Sequence, residues 1–147
     1  QAKTLFPYTT LFRSGGGLPG LVVAAVRGCE VILIEPRERR AAFLELGIAA
    51  VGVGKKRVIR GRWSPSTWKQ EVLGGVEARE KAQFFVLSSR AVFSPEEWLS
   101  QASEAEFPRG MVLCHVEIGA ETVGGRRPTA VVRGSRWAVA GFSNEIE

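Results

Sequence analysis

Three consecutive glycines, Gly15, Gly16 and Gly17, precede Leu18 and Pro19, and an acidic residue, Glu35, closes the next apolar run, EVILIE. Glycine accepts positive φ and lets a ligand approach the backbone, so the triplet suits a turn beneath a cofactor. A carboxylate at the end of the following strand suits the paired hydroxyls of a ribose, a combination shared by nicotinamide enzymes and methyltransferases. A surface turn and a helix-capping glutamate account for the same residues without a ligand. Arg90 follows another apolar run, QFFVLSS. Its guanidinium can reach an RNA phosphate or the O6 edge of a guanine with a bidentate geometry that lysine lacks. An ion pair to Glu96 or Glu97 is the structural alternative. Trp63 and Trp68 could stack on a base, although packing is the commoner use of large aromatics near the rim of a sheet. His115 is the single histidine, and a core or rim role suits it better than catalysis. Cys29, Cys114 and His115 offer no paired ligands at a recognised spacing, so no metal site is expected.

These residues need elements to carry them, and the pattern alternates short branched runs with amphipathic ones. Pro19 and Gly28 bracket a helix over GLVVAAVR, and residues 30–35 form a strand buried on both faces. A second helix starts at Pro36 and places Ala41, Leu44, Ile48 and Val51 on one face. A short strand near Arg57 to Arg60 follows, then a helical stretch from Ser64 to Ala82 weakened at Gly74 and Gly75. Residues 83–89 form a second buried strand. Ser94 caps the helix after it, and residues 110–118 form a third buried strand. The tail, residues 128–142, reads as an antiparallel hairpin turning at Gly134 and Ser135. The expected architecture is α/β, a mostly parallel, Rossmann-like sheet ending in an antiparallel hairpin.

The N-terminal stretch does not belong to this pattern. Thr4 to Ser14, TLFPYTTLFRS, reads back codon for codon as a common short-read sequencing adapter translated in frame. Residues 1–14 are therefore expected to be a non-native leader, and residues 15–147 a domain fragment that lacks its natural N-terminus. Tyr8, Thr9, Thr10 and Phe12 are good strand formers, so the leader can occupy the slot of a missing first strand. Net charge falls from +5 to +3 once Lys3 and Arg13 are set aside. The remaining excess is local, around Arg37, Arg39 and Arg40 and then Lys55, Lys56, Arg57, Arg60 and Arg62, which suits an anionic partner such as RNA or a solvated face. No apolar run is long enough to span a membrane.

GGGLPGL, VILIEPRERRAAFLE, GRW and VLSSRAVFSPEEWL occur in this order. That series resembles the bacterial small-subunit ribosomal RNA methyltransferase G family, also called glucose-inhibited division protein B, over nearly all of residues 15–147. The resemblance implies a class I fold that uses S-adenosylmethionine to methylate the N7 atom of a guanine in 16S rRNA in the cytoplasm. It implies cofactor contacts from Gly15, Gly17, Leu18 and Glu35. RNA contacts would come from Arg39, Arg40, Arg62 and Arg90, with Arg90 in the catalytic position. Guanine N7 offers an in-plane lone pair, so positioning and electrostatics suffice and no general base is required. Cys114 follows Leu113 rather than the proline expected for a pyrimidine-carbon methyltransferase. SSRA stands where an amine methyltransferase would show Asn or Asp, two prolines and an aromatic residue.

This sequence departs from the family's pattern at several positions. Leu11 and Arg13 stand where the family has an acidic residue and a glycine. Ser64 replaces a glutamate after the third strand, and Val116 and Glu117 replace a Lys-Gly pair on the fifth. An inactive RNA-binding relative is one alternative. A nicotinamide oxidoreductase is the other, against which Leu18 and Pro19 stand in the fingerprint's glycine region.

Overall fold

The computed structural model describes residues 8–13, 20–27, 30–52, 56–71, 84–90, 92–106 and 109–145. Its elements are β1 (Tyr8–Arg13), α1 (Gly20–Arg27), β2 (Glu30–Glu35), α2 (Glu38–Val51), β3 (Lys56–Arg60), α3 (Pro65–Glu71), β4 (Phe84–Ser89), α4 (Pro95–Glu104), β5 (Arg109–Glu117), β6 (Ala130–Arg133) and β7 (Trp137–Glu145). The strands form one sheet in the order β3-β2-β1-β4-β5-β7-β6. Strands β1 to β5 run parallel, and β7 runs antiparallel between β5 and β6. The strand order reverses at β1, which has β2 on one side and β4 on the other.

The branched run of β2 works on both faces of the sheet. Val31 and Leu33 pack with Leu44 of α2 and with Leu21 and Val23 of α1. Ile32 and Ile34 face the larger cluster formed by Trp63, Trp68, Phe85, Trp98 and Leu99. Helices α1 and α2 thus cover one face while α3 and α4 cover the other. Burial of both faces explains why polar alternation is absent from this strand. Strand β5 instead alternates, with Gly110, Val112, Cys114 and Val116 buried.

Several expectations hold. The tail forms the antiparallel pair β6–β7. Ser94 caps α4 as a capping box: its Oγ accepts from the Glu97 N–H at 3.2 Å, and Glu97 Oε2 accepts from the Ser94 N–H at 2.9 Å. Helix α2 buries Ala41 and Leu44 and ends at Gly52, whose φ of 67° is left-handed. Tyr8–Arg13 fills the central strand slot, as its strand-forming residues suggested.

Other expectations need correction. Pro36 does not begin α2; it precedes the N-cap Arg37, and the helix starts at Glu38. Ser64, a departure from the family's glutamate, stands just ahead of α3. Its Oγ accepts from the Thr67 N–H at 3.1 Å, and its carbonyl accepts from the Trp68 N–H at 3.1 Å. Helix α3 is described only as far as Glu71, so Gly74 and Gly75 lie outside the described residues, as do Gly28, Cys29 and Lys55.

Candidate functional site

In an open α/β sheet a ligand binds outside the carboxyl ends of the strands where the order reverses. Here that edge is formed by the ends of β1, β2 and β4, with Arg13 in register with Ile34 on one side and Ser89 on the other. Gly15, Gly17 and Leu18, the expected cofactor turn, lie outside the described residues.

Glu35 stands at the edge and is only 4% exposed. Its Oε1 accepts the Arg37 N–H at 2.9 Å, and its carbonyl accepts the Gly61 N–H at 3.2 Å. The capping role offered as the alternative is therefore real, but it occupies one oxygen. Among the described residues, Oε2 accepts no hydrogen bond. A buried carboxylate with a spare oxygen can take the hydroxyls of a ribose.

On the other flank of β1, Ser88 and Ser89 are buried, and the Ser89 Oγ has no hydrogen-bond partner among the described residues. A buried orphan hydroxyl at a strand end is costly unless something else satisfies it. Arg90 follows immediately and is exposed. The proposed ion pair to Glu97 is not formed, because that carboxylate is engaged in the α4 cap, and no Arg90 ion pair to Glu96 occurs among the described residues.

His115 is half-buried on β5. Burial, with a smaller contribution from the nearby Arg90 charge, holds its pKa below the usual 6.5. The folded imidazole therefore resists a proton that the unfolded chain accepts, and this contribution destabilises the fold as pH falls below 6.5. As the single histidine, it gives one pair of imidazole C–H resonances. A proton NMR titration should place its midpoint below 6.5, and Arg90→Ala should raise that midpoint without restoring it fully, since burial is the larger cause. An unchanged midpoint would separate Arg90 from His115. Burial also pushes the Cys114 thiol up to about 12, and its Sγ donates to the Pro95 carbonyl at 3.7 Å. That makes it a poor nucleophile near neutral pH.

The expected RNA contacts gather at the same edge. Arg39 and Arg40 lie exposed in the first turn of α2, and Arg62 lies exposed just beyond β3. Cations at a helix N-terminus oppose its dipole, so folding alone does not favour these two arginines. Arg60 is tied to Glu38 at 3.2 Å in an exposed pair, a coupling across 22 residues that the sequence reading did not anticipate. Trp63 and Trp68 do not serve a base. Both are buried, 6.1 Å apart between ring centroids, and their indole N–H groups have no partner among the described residues. The missed feature is a second basic group on the β6–β7 hairpin, Arg127, Arg133 and Arg136, together with the exposed Trp137. Its signal was legible as arginines bracketing a turn.

Among the described residues, no group of three or more His, Cys, Asp or Glu side chains is placed to hold a metal. No helix there is long and apolar enough to cross a membrane.

With this geometry in place, comparison with known proteins is informative. The family described as rRNA small subunit methyltransferase G matches residues 13–115. A ribosomal RNA small subunit methyltransferase G from Salinispora arenicola is 41% identical over 81 residues, covering 54% of this chain and 31% of the relative. One from Nocardioides is 35% identical over 101 residues, covering 68% and 36%. The matched segments span about a third of the length of these relatives. Among solved structures, an RNA methyltransferase from Salinibacter ruber in complex with S-adenosyl-L-homocysteine aligns with a TM-score of 0.66 at 15% identity, covering 96% of this chain and 82% of that one. MtNAS in complex with MTA and tNA aligns with a TM-score of 0.61 at 17% identity, covering 95% and 55%. At these identities the likeness establishes the class I methyltransferase fold.

Proposed function

Because the chain belongs to the rRNA small subunit methyltransferase G family, we propose that it derives from an enzyme that methylates the N7 atom of a guanine in small-subunit rRNA, using S-adenosylmethionine. The observation that carries the reading is the buried Glu35, whose carboxylate uses only Oε1 among the described residues, at the end of β2 beside the sheet's reversal point. Glu35 would hold the ribose of the cofactor, with Gly15, Gly17 and Leu18 forming the turn beneath it. The cofactor supplies a sulfonium methyl that is already electrophilic. Guanine N7 presents its lone pair in the ring plane, so no residue has to remove a proton from it; the protein's task is to orient the base and exclude water. Arg90 would hold the O6 edge of the base or an adjacent phosphate, and Arg39, Arg40 and Arg62 would bind phosphates beside it. The Ser89 hydroxyl is available to a bound ligand. A partner of this kind places the protein in the cytoplasm with the ribosome.

Residues 1–14 are read here as a non-native leader and residues 15–147 as a fragment of the methyltransferase domain. The family match covers residues 13–115 and leaves residues 1–12 outside it. A second reading, an RNA-binding relative that transfers no methyl group, is favoured by Glu117, which sets an exposed carboxylate at the end of β5. Incubation of a chain carrying Leu11→Asp and Arg13→Gly with labelled S-adenosylmethionine and unmodified small-subunit rRNA separates the two. The first reading expects label at one guanine, with strand cleavage there after borohydride reduction and aniline treatment. Label on another atom would remove the N7 assignment, and RNA binding without label would favour the second reading.

A further inference from the structure

The hairpin carries a charge and aromatic pattern that the cofactor site does not use. Strand β6 is an edge strand whose four residues are all exposed. Arg133 ends it, Arg136 lies in the turn, and Trp137 opens β7 with 60% of its surface exposed. Arg127, Arg133 and Arg136 have no ion pair among the described residues. An open groove of about 470 Å³ beside them is lined in part by Glu117, Glu121, Arg127, Val131 and Arg133.

The position of this group decides what it can serve. Strand β6 is antiparallel to β7, which is antiparallel to β5, so Arg133 lies at the same carboxyl edge as Glu35 and Arg90. Trp137 is in register with Glu117 at the end of β5. From β4 to β7 the step is two strands, or about 10 Å. A short run of nucleotides can therefore touch Arg90 and the hairpin together. Guanidinium groups match phosphates, and an indole face accepts any base. Glu117 repels a phosphate at its own position but can accept from a base amino group.

We propose that the β6–β7 hairpin is a second RNA-docking surface, on which Arg133 and Arg136 hold phosphates and Trp137 stacks on a base flanking the target nucleotide. The inference rests on the RNA-methyltransferase reading and adds a path for the strand along the carboxyl edge of the sheet. Arg127 also lines the groove and adds to the same positive surface.

Fluorescence offers a direct test, because the chain has four tryptophans and Trp63, Trp68 and Trp98 are buried. A fluorescein-labelled single-stranded RNA is titrated into the full chain, with anisotropy reporting affinity and tryptophan emission reporting contact at Trp137. RNA is expected to quench the emission accessible to acrylamide. Trp137→Ala should weaken binding by about tenfold, as expected for a lost base stack, with Trp137→Phe retaining most of the affinity. Arg133→Gln with Arg136→Gln should lower the slope of log affinity against log salt by about 1.4, the value for two phosphate contacts on a single strand. RNA binding with unchanged emission and unaffected variants would overturn the hairpin surface while leaving the methyltransferase reading in place. Absence of any RNA binding would overturn both the surface and the RNA part of that reading. Emission that shifts with protein concentration alone, with a dimer by light scattering, would assign the edge to a second copy and overturn the proposal.

Discussion

Trp68→Ala should destabilise the domain by about 3–5 kcal/mol, the range for truncating a large buried aromatic. Trp68 is fully buried, lies edge-on to Phe85 at 5.3 Å between centroids and neighbours Trp63 at 6.1 Å. Trp63 in turn meets Trp98 at 5.3 Å, so one side chain supports aromatic contacts from α3, α4 and β4. Typical domains have only about 5–15 kcal/mol of stability, so the loss should leave the variant marginally folded. Urea denaturation followed by circular dichroism measures it. Trp68→Phe should cost less, because the indole N–H that has no partner disappears with the lost volume. A small loss for Trp68→Ala would show that the aromatic cluster repacks freely.

A comparable effect on function is expected at the sheet's reversal point. In a chain repaired by Leu11→Asp and Arg13→Gly, Glu35→Ala should weaken S-adenosylmethionine binding by about 1.5–3 kcal/mol, the cost of hydrogen bonds to a charged group. The substitution also frees the Arg37 N–H, so thermal melting of the same variant is needed beside the titration. Weaker binding with a similar melting temperature supports the ribose role. Equal affinity would leave Glu35 with only its cap.

Much of this fold was legible because its strands are of two recognisable kinds. EVILIE is buried on both faces and reads as an uninterrupted branched run, while the tail declares its turn through Gly134 and Ser135. Ser94 announced an N-cap through local spacing alone, and the structure completes it with Glu97 as a capping box. Long-range choices were not legible in the same way. Trp63 and Trp68 have the chemistry to stack on a base or on each other, and only the packing of α3 against the sheet decides between these. Arg60 looked like part of an RNA-binding cluster until the β3 end brought it to Glu38. Ser64 looked like a loss relative to the family, yet its hydroxyl supports the first turn of α3. Arg133, Arg136 and Trp137 were overlooked because their relation to Arg90 exists only across the β4-β5-β7 order.

The central claim is that the reversal point is an S-adenosylmethionine site, and the last positions of β1 bear on it most directly. Arg13 ends β1 between Ile34 and Ser89, where the family has a glycine, and Leu11 stands where it has a carboxylate. A bulky residue restricts the turn, and leucine cannot anchor it by hydrogen bonds. The two positions act on one loop and should be coupled. The decisive measurement is calorimetric titration with S-adenosylmethionine and with NAD, performed on the unaltered chain, on Leu11→Asp, on Arg13→Gly and on the double variant. Binding of S-adenosylmethionine should be weak or absent in the unaltered chain and recover most in the double variant, with no response to NAD. Preference for NAD, or failure of the double variant to bind S-adenosylmethionine at all, would contradict the account.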